Sequence, residues 1–291
     1  MSIAASPGVS LATLLRLGRV SNLPTVWTNV LAGTVLAGDD WRSGRTGLVL
    51  AAMSLFYVAG MYLNDYFDRT VDARERPTRP IPAGAISASA VAAAGVALLA
   101  CAIALMAITG KTAAVTGILL AAFIVGYDVH HKNVPWAPLV MGGCRALVYC
   151  GAAAAAAGAI SAAVLIPALA CAAYVAGITY AASRESTDRI GSLWPLVLLA
   201  APLLAASVAL LHGILASAFY AALIIWLACA GYLLVKRPQP GAVSRAVGWL
   251  IAGISLADAA FLAGAGAIAA ACWAVAGFAA TLVLHKQIPG T

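Results

Sequence analysis

GLVLAAMSLFYVAGMYLNDYFDRTVDARERPTRPIPAG, residues 47–84, starts as an apolar run, passes through three aspartates and ends in a loop of arginines and prolines. Residues 47–63 carry no charge, and a run of that length is close to the roughly 17–25 apolar residues that cross a bilayer as a helix. Asp65, Asp68 and Asp72 then follow at i, i+3 and i+7, a spacing that puts all three within about 60° of arc on a helix. Like charges so close repel, and the usual remedies are basic partners or a divalent cation.

The rest of the chain explains why such a row stands out. Of 291 residues, 63% are hydrophobic and 9% charged, against about 25% charge in an average soluble domain. Further apolar runs lie near 22–38, 86–108, 112–127, 136–157, 161–182, 191–211, 214–235, 246–264 and 267–285. The composition therefore predicts a single polytopic membrane domain over 1–291, an all-α bundle of nine or ten transmembrane helices. Lipid satisfies no backbone polar group, and these runs are too long for barrel strands. The first run follows Arg16 and Arg19 but precedes further spans, so it reads as a retained helix and not a signal peptide. The six cysteines lie inside apolar runs without CxxC spacing, which predicts packing residues and neither a zinc site nor a disulfide framework.

Lys and Arg among the short loops set the expected orientation. With a cytoplasmic N-terminus, thirteen basic residues, among them Arg16, Arg19, Arg74, Arg76, Arg79, Lys132 and Arg184, fall on the inner side, while only Arg42, Arg45 and Lys111 fall outside. The net charge of +7 is thus a topology signal, and it makes no case for nucleic acid. The same arrangement puts Asp65, Asp68, Asp72, Glu75, Asp128, Glu185 and Asp188 inside, gathered at the ends of the second and sixth spans. Two acidic clusters four helices apart predict one site built from two parts.

Mg²⁺ takes carboxylate, water and phosphate oxygens and uses only one or two protein carboxylates per ion, with substrate supplying the rest. Guanidinium groups bind phosphate oxygens in bidentate fashion. A diphosphate bridged by Mg²⁺ would use both the acids and the arginines. The competing reading is mutual ion pairing at a solvated helix end, which contributes little.

Asn64-Asp65-x-x-Asp68-x-x-x-Asp72 followed by Arg79-Pro80-Ile81-Pro82-Ala83-Gly84 resembles the UbiA superfamily of intramembrane prenyltransferases, and the order of features supports the likeness over about residues 15–264. The resemblance implies a UbiA-like helical bundle around a central cavity, in which two aspartate-rich motifs hold Mg²⁺ and bind a prenyl diphosphate. It also implies transfer of the prenyl group to a small acceptor within the membrane, with release of diphosphate. On this likeness Asn64, Asp65, Asp68 and Asp72 form the first motif, and Arg79 contacts substrate. The family's Tyr-x-x-x-Lys signature is displaced here, since Tyr127 is followed by His131 and then Lys132, which leaves the diphosphate contact open between the last two. The second motif, D-x-x-x-D in the family, reads Glu185-x-x-Asp188, an i, i+3 pair expected on one helical face. The resemblance further implies a multi-pass protein of a bacterial inner membrane with its site facing the cytoplasm.

Ionisable residues inside spans are costly and usually functional. Arg145, about nine residues into the fifth span, is placed to reach a diphosphate or an acidic acceptor. Asp258 reads as structural pairing, and Asn22 and Asn29 either orient an acceptor or join helices. Tyr57, Tyr62, Phe67, Tyr127, Tyr149 and Tyr174 supply faces able to stabilise an allylic cation, most of them serving packing. Two rival functions compete with this reading. A membrane CDP-alcohol phosphotransferase lacks support because no D-G-x-x-A-R continuation follows the acids. A transporter for anionic solutes would carry its acids at mid-membrane in broken helices.

Overall fold

The computed structural model describes residues 9–130, 134–185, 188 and 190–288, and among these every regular element is helical. A short α1 (Leu11–Leu17) leads through a 3₁₀ turn to α2 (Leu23–Leu36), followed by α3 (Gly44–Glu75), α4 (Ala88–Thr109), α5 (Lys111–His130) and α6 (Ala137–Ala157). The second part holds α7 (Ala162–Ala182), α8 (Ala201–Ala206), α9 (Ile214–Lys236), α10 (Ala242–Gly264) and α11 (Ile268–His285). Local chemistry sets many of the boundaries. Ser10, Ser43 and Ser87 accept the backbone N–H three residues on and cap α1, α3 and α4. Pro24 and Pro138 occupy the first turns of α2 and α6, where a missing N–H costs nothing.

Nine helical segments among the described residues are long and apolar enough to cross a membrane. The first predicted run gives α2, whose 14 residues make a tenth, shorter apolar helix, which accounts for the choice between nine and ten. The run at 191–211 departs from a plain α-helix. It is built from 3₁₀ turns at Trp194–Ala200 and Ser207–Leu211 around α8, with Pro195 and Pro202 in its turns.

The interior is organised by α2 and α10. Helix α10 is the most buried of the nine spans and packs on α9, α11, α2 and α7, while α2 packs on α6, α11, α10 and α3. Small residues permit these approaches: a Cβ on Gly142 of α6 would lie 2.3 Å from the carbonyl oxygen of Ala172 in α7, and one on Gly33 of α2 would lie 2.6 Å from that of Tyr149 in α6. All six cysteines are free, and Cys101, Cys229 and Cys272 are exposed on the outside of the bundle. The short connections 110, 158–161, 212–213 and 265–267 alternate with the longer ones that carry the acidic and basic motifs. Both acidic clusters therefore emerge at the same end.

Candidate active site

The aspartate row is a helical face, as its spacing predicts. Helix α3 runs unbroken through Glu75, and Asn64, Asp65, Asp68 and Asp72 are all buried. Arg79 reaches back from the loop after α3, and its Nη1 donates to Asp65 at 3.2 Å and to Asp72 at 2.8 Å. Arg19, held in the left-handed region (φ 41°) at the turn between α1 and α2, donates from Nη2 to Asp65 at 3.2 Å. Asn64 donates to Asp128 of α5 at 3.3 Å. The two arginines offset the repulsion within the row, and removing Arg79 would take a guanidinium partner from both Asp65 and Asp72.

A polar cavity with about 1100 Å³ of empty space opens beside this row. Arg16, Arg19, Arg76 and Arg79 line it together with Asp65, Glu75 and Glu185. The second acidic cluster thus meets the first, since Glu185 comes from the segment after α7 and Asp65 from α3. Oε1 of Glu185 is buried without a hydrogen-bond partner among the described residues. Burial pushes the Glu185 carboxyl above its ordinary value, opposed by Arg76, by a hydrogen bond with Ser244 and by Arg19.

Asp188 departs from the expected helical pairing. It stands outside any helix with φ 48°, and its two carboxylate oxygens accept the backbone N–H groups of Gly241 and Val243 at 3.0 Å each. An aspartate at the start of α10 satisfies donors that the helix itself leaves free, and it suits the positive end of the helix dipole. Glu185 and Asp188 accordingly point to different partners. His131 and Lys132 lie outside the described residues.

Below the polar cavity lies a second, mostly apolar one with about 580 Å³ of empty space. Val26, Met53, Phe56, Ile124 and Val148 form much of its wall, and Tyr57 and Tyr127 contribute aromatic faces. Its two charged residues are Asp128 and Arg145. Of the other aromatic candidates, Phe67 is exposed on the outside and Tyr62 packs on the α1 side, bonding the Leu14 carbonyl. Tyr174 donates to the Leu250 carbonyl, and Tyr149 donates to Asp258. Asn22 and Asn29 both join helices, Asn22 to His285 at 2.6 Å and Asn29 to Asp258 at 2.8 Å. From the sequence, Arg16 and Arg19 carry only an orientation signal, whereas Arg76 belongs to the basic loop expected to suit phosphate oxygens. Their fall on the same side as the acids was the available signal for a binding role.

Among the described residues, no three His, Cys, Asp or Glu side chains converge closely enough to hold a metal by themselves. The donor set nevertheless fits Mg²⁺, which completes its octahedron with water and phosphate oxygens. Carboxylates of α3 and the orphaned Glu185 oxygen supply hard oxygen ligands at the cavity wall.

Fold and site together define a polytopic membrane bundle with an acidic and basic cavity at one end, continued inward by an apolar one. The UbiA prenyltransferase family model matches residues 25–247, and the chain belongs to that family. The chain is 31% identical over 124 residues to a digeranylgeranylglyceryl phosphate synthase of Methanothrix thermoacetophila, covering 42% of this chain and 46% of that one. It is 33% identical over 105 residues to the polyprenyl transferase pyr6 of Aspergillus fumigatus, covering 31% and 33%. It spans less than half the length of the curated relatives it matches. Among solved structures, one from work on digeranylgeranylglyceryl phosphate synthase in membranes aligns with a TM-score of 0.63 at 22% identity, over 89% of this chain and 99% of that one. A UbiA homolog from Archaeoglobus fulgidus bound to DMAPP and Mg²⁺ aligns with a TM-score of 0.61 at 15% identity, over 84% and 99%.

Proposed function

We propose that this protein transfers a prenyl group from a prenyl diphosphate to a small acceptor within the membrane, releasing diphosphate. The observation that carries the reading is the pair of cavities: four arginines with Asp65, Glu75 and Glu185 line one, and an apolar, aromatic-walled space forms the other. A prenyl diphosphate has the same two parts, a multiply charged head and an apolar tail.

Asp65, Asp68, Asp72 and Glu185 would hold Mg²⁺, which neutralises the diphosphate and favours its departure as a leaving group. Arg19 and Arg79 balance the aspartates in the structure described here, and Arg16 and Arg76 complete the basic wall. Preorganised guanidinium groups at that wall bind the charge that accumulates on diphosphate as the allylic C–O bond opens. Asn64 holds Asp128 and so ties α5 to the row. The apolar cavity excludes water from the allylic carbon, and Tyr57 and Tyr127 present faces to its positive charge. Asp188 anchors the segment that carries Glu185 onto α10. Digeranylgeranylglyceryl phosphate synthases among the relatives, and the DMAPP and Mg²⁺ held by the Archaeoglobus homolog, support this reading.

In this reading the membrane is a bacterial inner membrane, and the polar cavity faces the cytoplasm because the basic loops gather on its side. Labelling of cysteines introduced in the 76–87 and 38–43 loops should show the first accessible from inside and the second from outside. The opposite pattern would invert the site. Catalysis is tested by incubating purified protein with labelled dimethylallyl, geranyl, farnesyl and geranylgeranyl diphosphates, Mg²⁺ and lipid extract of the host. A labelled lipid formed only with Mg²⁺ is expected, and its absence with every donor would overturn the proposal.

A further inference from the structure

The apolar cavity has a top and a floor. At the top, Asp128 of α5 lines it and accepts a hydrogen bond at 3.3 Å from Asn64, the neighbour of Asp65 on the polar cavity's wall. The same levels of α3 and α5 stay matched further down: a Cβ on Gly60 would lie 3.2 Å from Cγ2 of Ile124, and one on Gly117 would lie 3.5 Å from Cζ of Phe56. Arg145 of α6 stands at the level of Tyr57, 5.9 Å from its ring centre, and donates from Nη1 to Asn29 at 3.0 Å. Beyond that level the wall is apolar, with Met53, Phe56, Leu120 and Val148.

Met53 is the floor. It is 1% exposed yet lines the cavity, and its terminal methyl lies 2.5 Å from where a Cβ on Gly151 of α6 would stand. The methyl of Met106 and the hydroxyl of Thr116 border the same spot at 3.2 and 3.5 Å, but neither they nor Gly151 line the cavity. Met53 therefore covers a further layer of the bundle, and its end can rest there because residue 151 has no side chain. An unbranched, adaptable methionine makes a stop whose height depends on what lies beneath it.

We propose that Met53, seated on Gly151, limits the length of the prenyl chain, and that the donor is of geranyl size. The inference rests on the prenyl-transfer reading and names the donor for it. From Met61, the wall residue of α3 nearest Asn64, to Met53 is eight positions, about 12 Å at 1.5 Å per residue. An extended chain of single bonds advances about 1.2 Å per bond, so an isoprene unit, four bonds long, takes about 5 Å. Two units fill the distance, and a third meets Met53. Each unit that enters removes apolar area from water and strengthens binding, so affinity rises with chain length until the floor is reached.

The test is titration calorimetry on purified full-length protein with Mg²⁺ and dimethylallyl, geranyl and farnesyl thiolodiphosphates, donor analogues that resist ionisation. Inorganic diphosphate with Mg²⁺ reads the charged head alone. The wild type should bind the geranyl compound about tenfold or more tightly than the dimethylallyl one, and the farnesyl compound no more tightly than the geranyl. M53A lowers the floor and should raise the farnesyl-to-geranyl affinity ratio about tenfold. G151A raises the floor, because the new methyl displaces the flexible end of Met53 toward the open cavity. It should weaken the geranyl compound about tenfold while leaving the dimethylallyl one within about threefold. In M53A/G151A the added methyl has no long side chain to displace, and geranyl affinity should return to within about threefold of wild type. All variants should hold inorganic diphosphate within about threefold of wild type. If M53A does not fold, M53V, which removes less volume, takes its place. The proposal is overturned if wild-type affinity keeps rising from geranyl to farnesyl, or if either single variant leaves its chain-length ratio unmoved. It is equally overturned if inorganic diphosphate weakens together with the prenyl compounds, since the change would then lie at the charged head. Failure of every thiolodiphosphate to bind wild-type protein would instead count against the prenyl-transfer reading.

Discussion

The aspartates of α3 and the acidic pair after α7 have similar chemistry on two different backbones. Asp65, Asp68 and Asp72 ride on a 32-residue helix, so one regular geometry aims all three inward. Glu185, in a 3₁₀ turn, and Asp188 sit outside any α-helix, and three residues of separation no longer mean a shared face. Glu185 lines the polar cavity with an oxygen that has no hydrogen-bond partner among the described residues, while both Asp188 oxygens accept N–H groups at the start of α10. The two carboxylates of one motif therefore have different nearest partners, the wall of a cavity for Glu185 and the start of a helix for Asp188.

Substitutions can break or sharpen that contrast. The largest effect is expected at the helical row, where Asp68→Ala should lower prenyl transfer by about a hundredfold or more, the scale of losing a preorganised electrostatic contact in the transition state. Diphosphate release measured across a Mg²⁺ titration checks it, and near wild-type rates at limiting Mg²⁺ would remove the row's special status. Next, Glu185→Gln should cost about tenfold, or roughly 1.4 kcal/mol of transition-state stabilisation, with partial recovery at raised Mg²⁺. Glu185→Asp keeps the charge on a shorter arm and should lose less. A Glu185→Gln enzyme with unaltered Mg²⁺ dependence would show the orphaned oxygen to be idle.

The smallest effect falls on Asp188. Replacing it with Ala leaves the N–H groups of Gly241 and Val243 without these acceptors and should lower stability by about 1 kcal/mol, the usual size of a lost helix cap. Thermal unfolding in detergent reads this, and Asp188→Asn, which retains one carbonyl oxygen, should lose less. Activity should fall only a few-fold, about threefold, without recovery by Mg²⁺, because the lesion lies in holding Glu185 and not in ligation. Recovery of Asp188→Asn by Mg²⁺ would erase the distinction and return Asp188 to the metal-binding set expected from the motif.

Much of this could be read in one dimension. Apolar length determined the spans, since a backbone in lipid has few alternatives to a helix. The 3.6-residue period determined that Asp65, Asp68 and Asp72 share a face, and the distribution of Lys and Arg placed both acidic clusters at one end. Each of these depends on neighbours close in sequence. The tertiary structure alone decided that Glu185 meets Asp65, that Asp188 is drawn to the start of α10, and that Arg19 pairs with the aspartate row. It also decided that Asn29 lies between Arg145 and Asp258, two residues that looked like separate intramembrane charges. Asn29 and Asp258 are 229 positions apart, and Asp188 and Gly241 are 53 apart. No local period relates such positions, because their meeting depends on how α2, α6 and α10 cross, and those crossings are set by where small residues such as Gly33 and Gly142 let backbones touch.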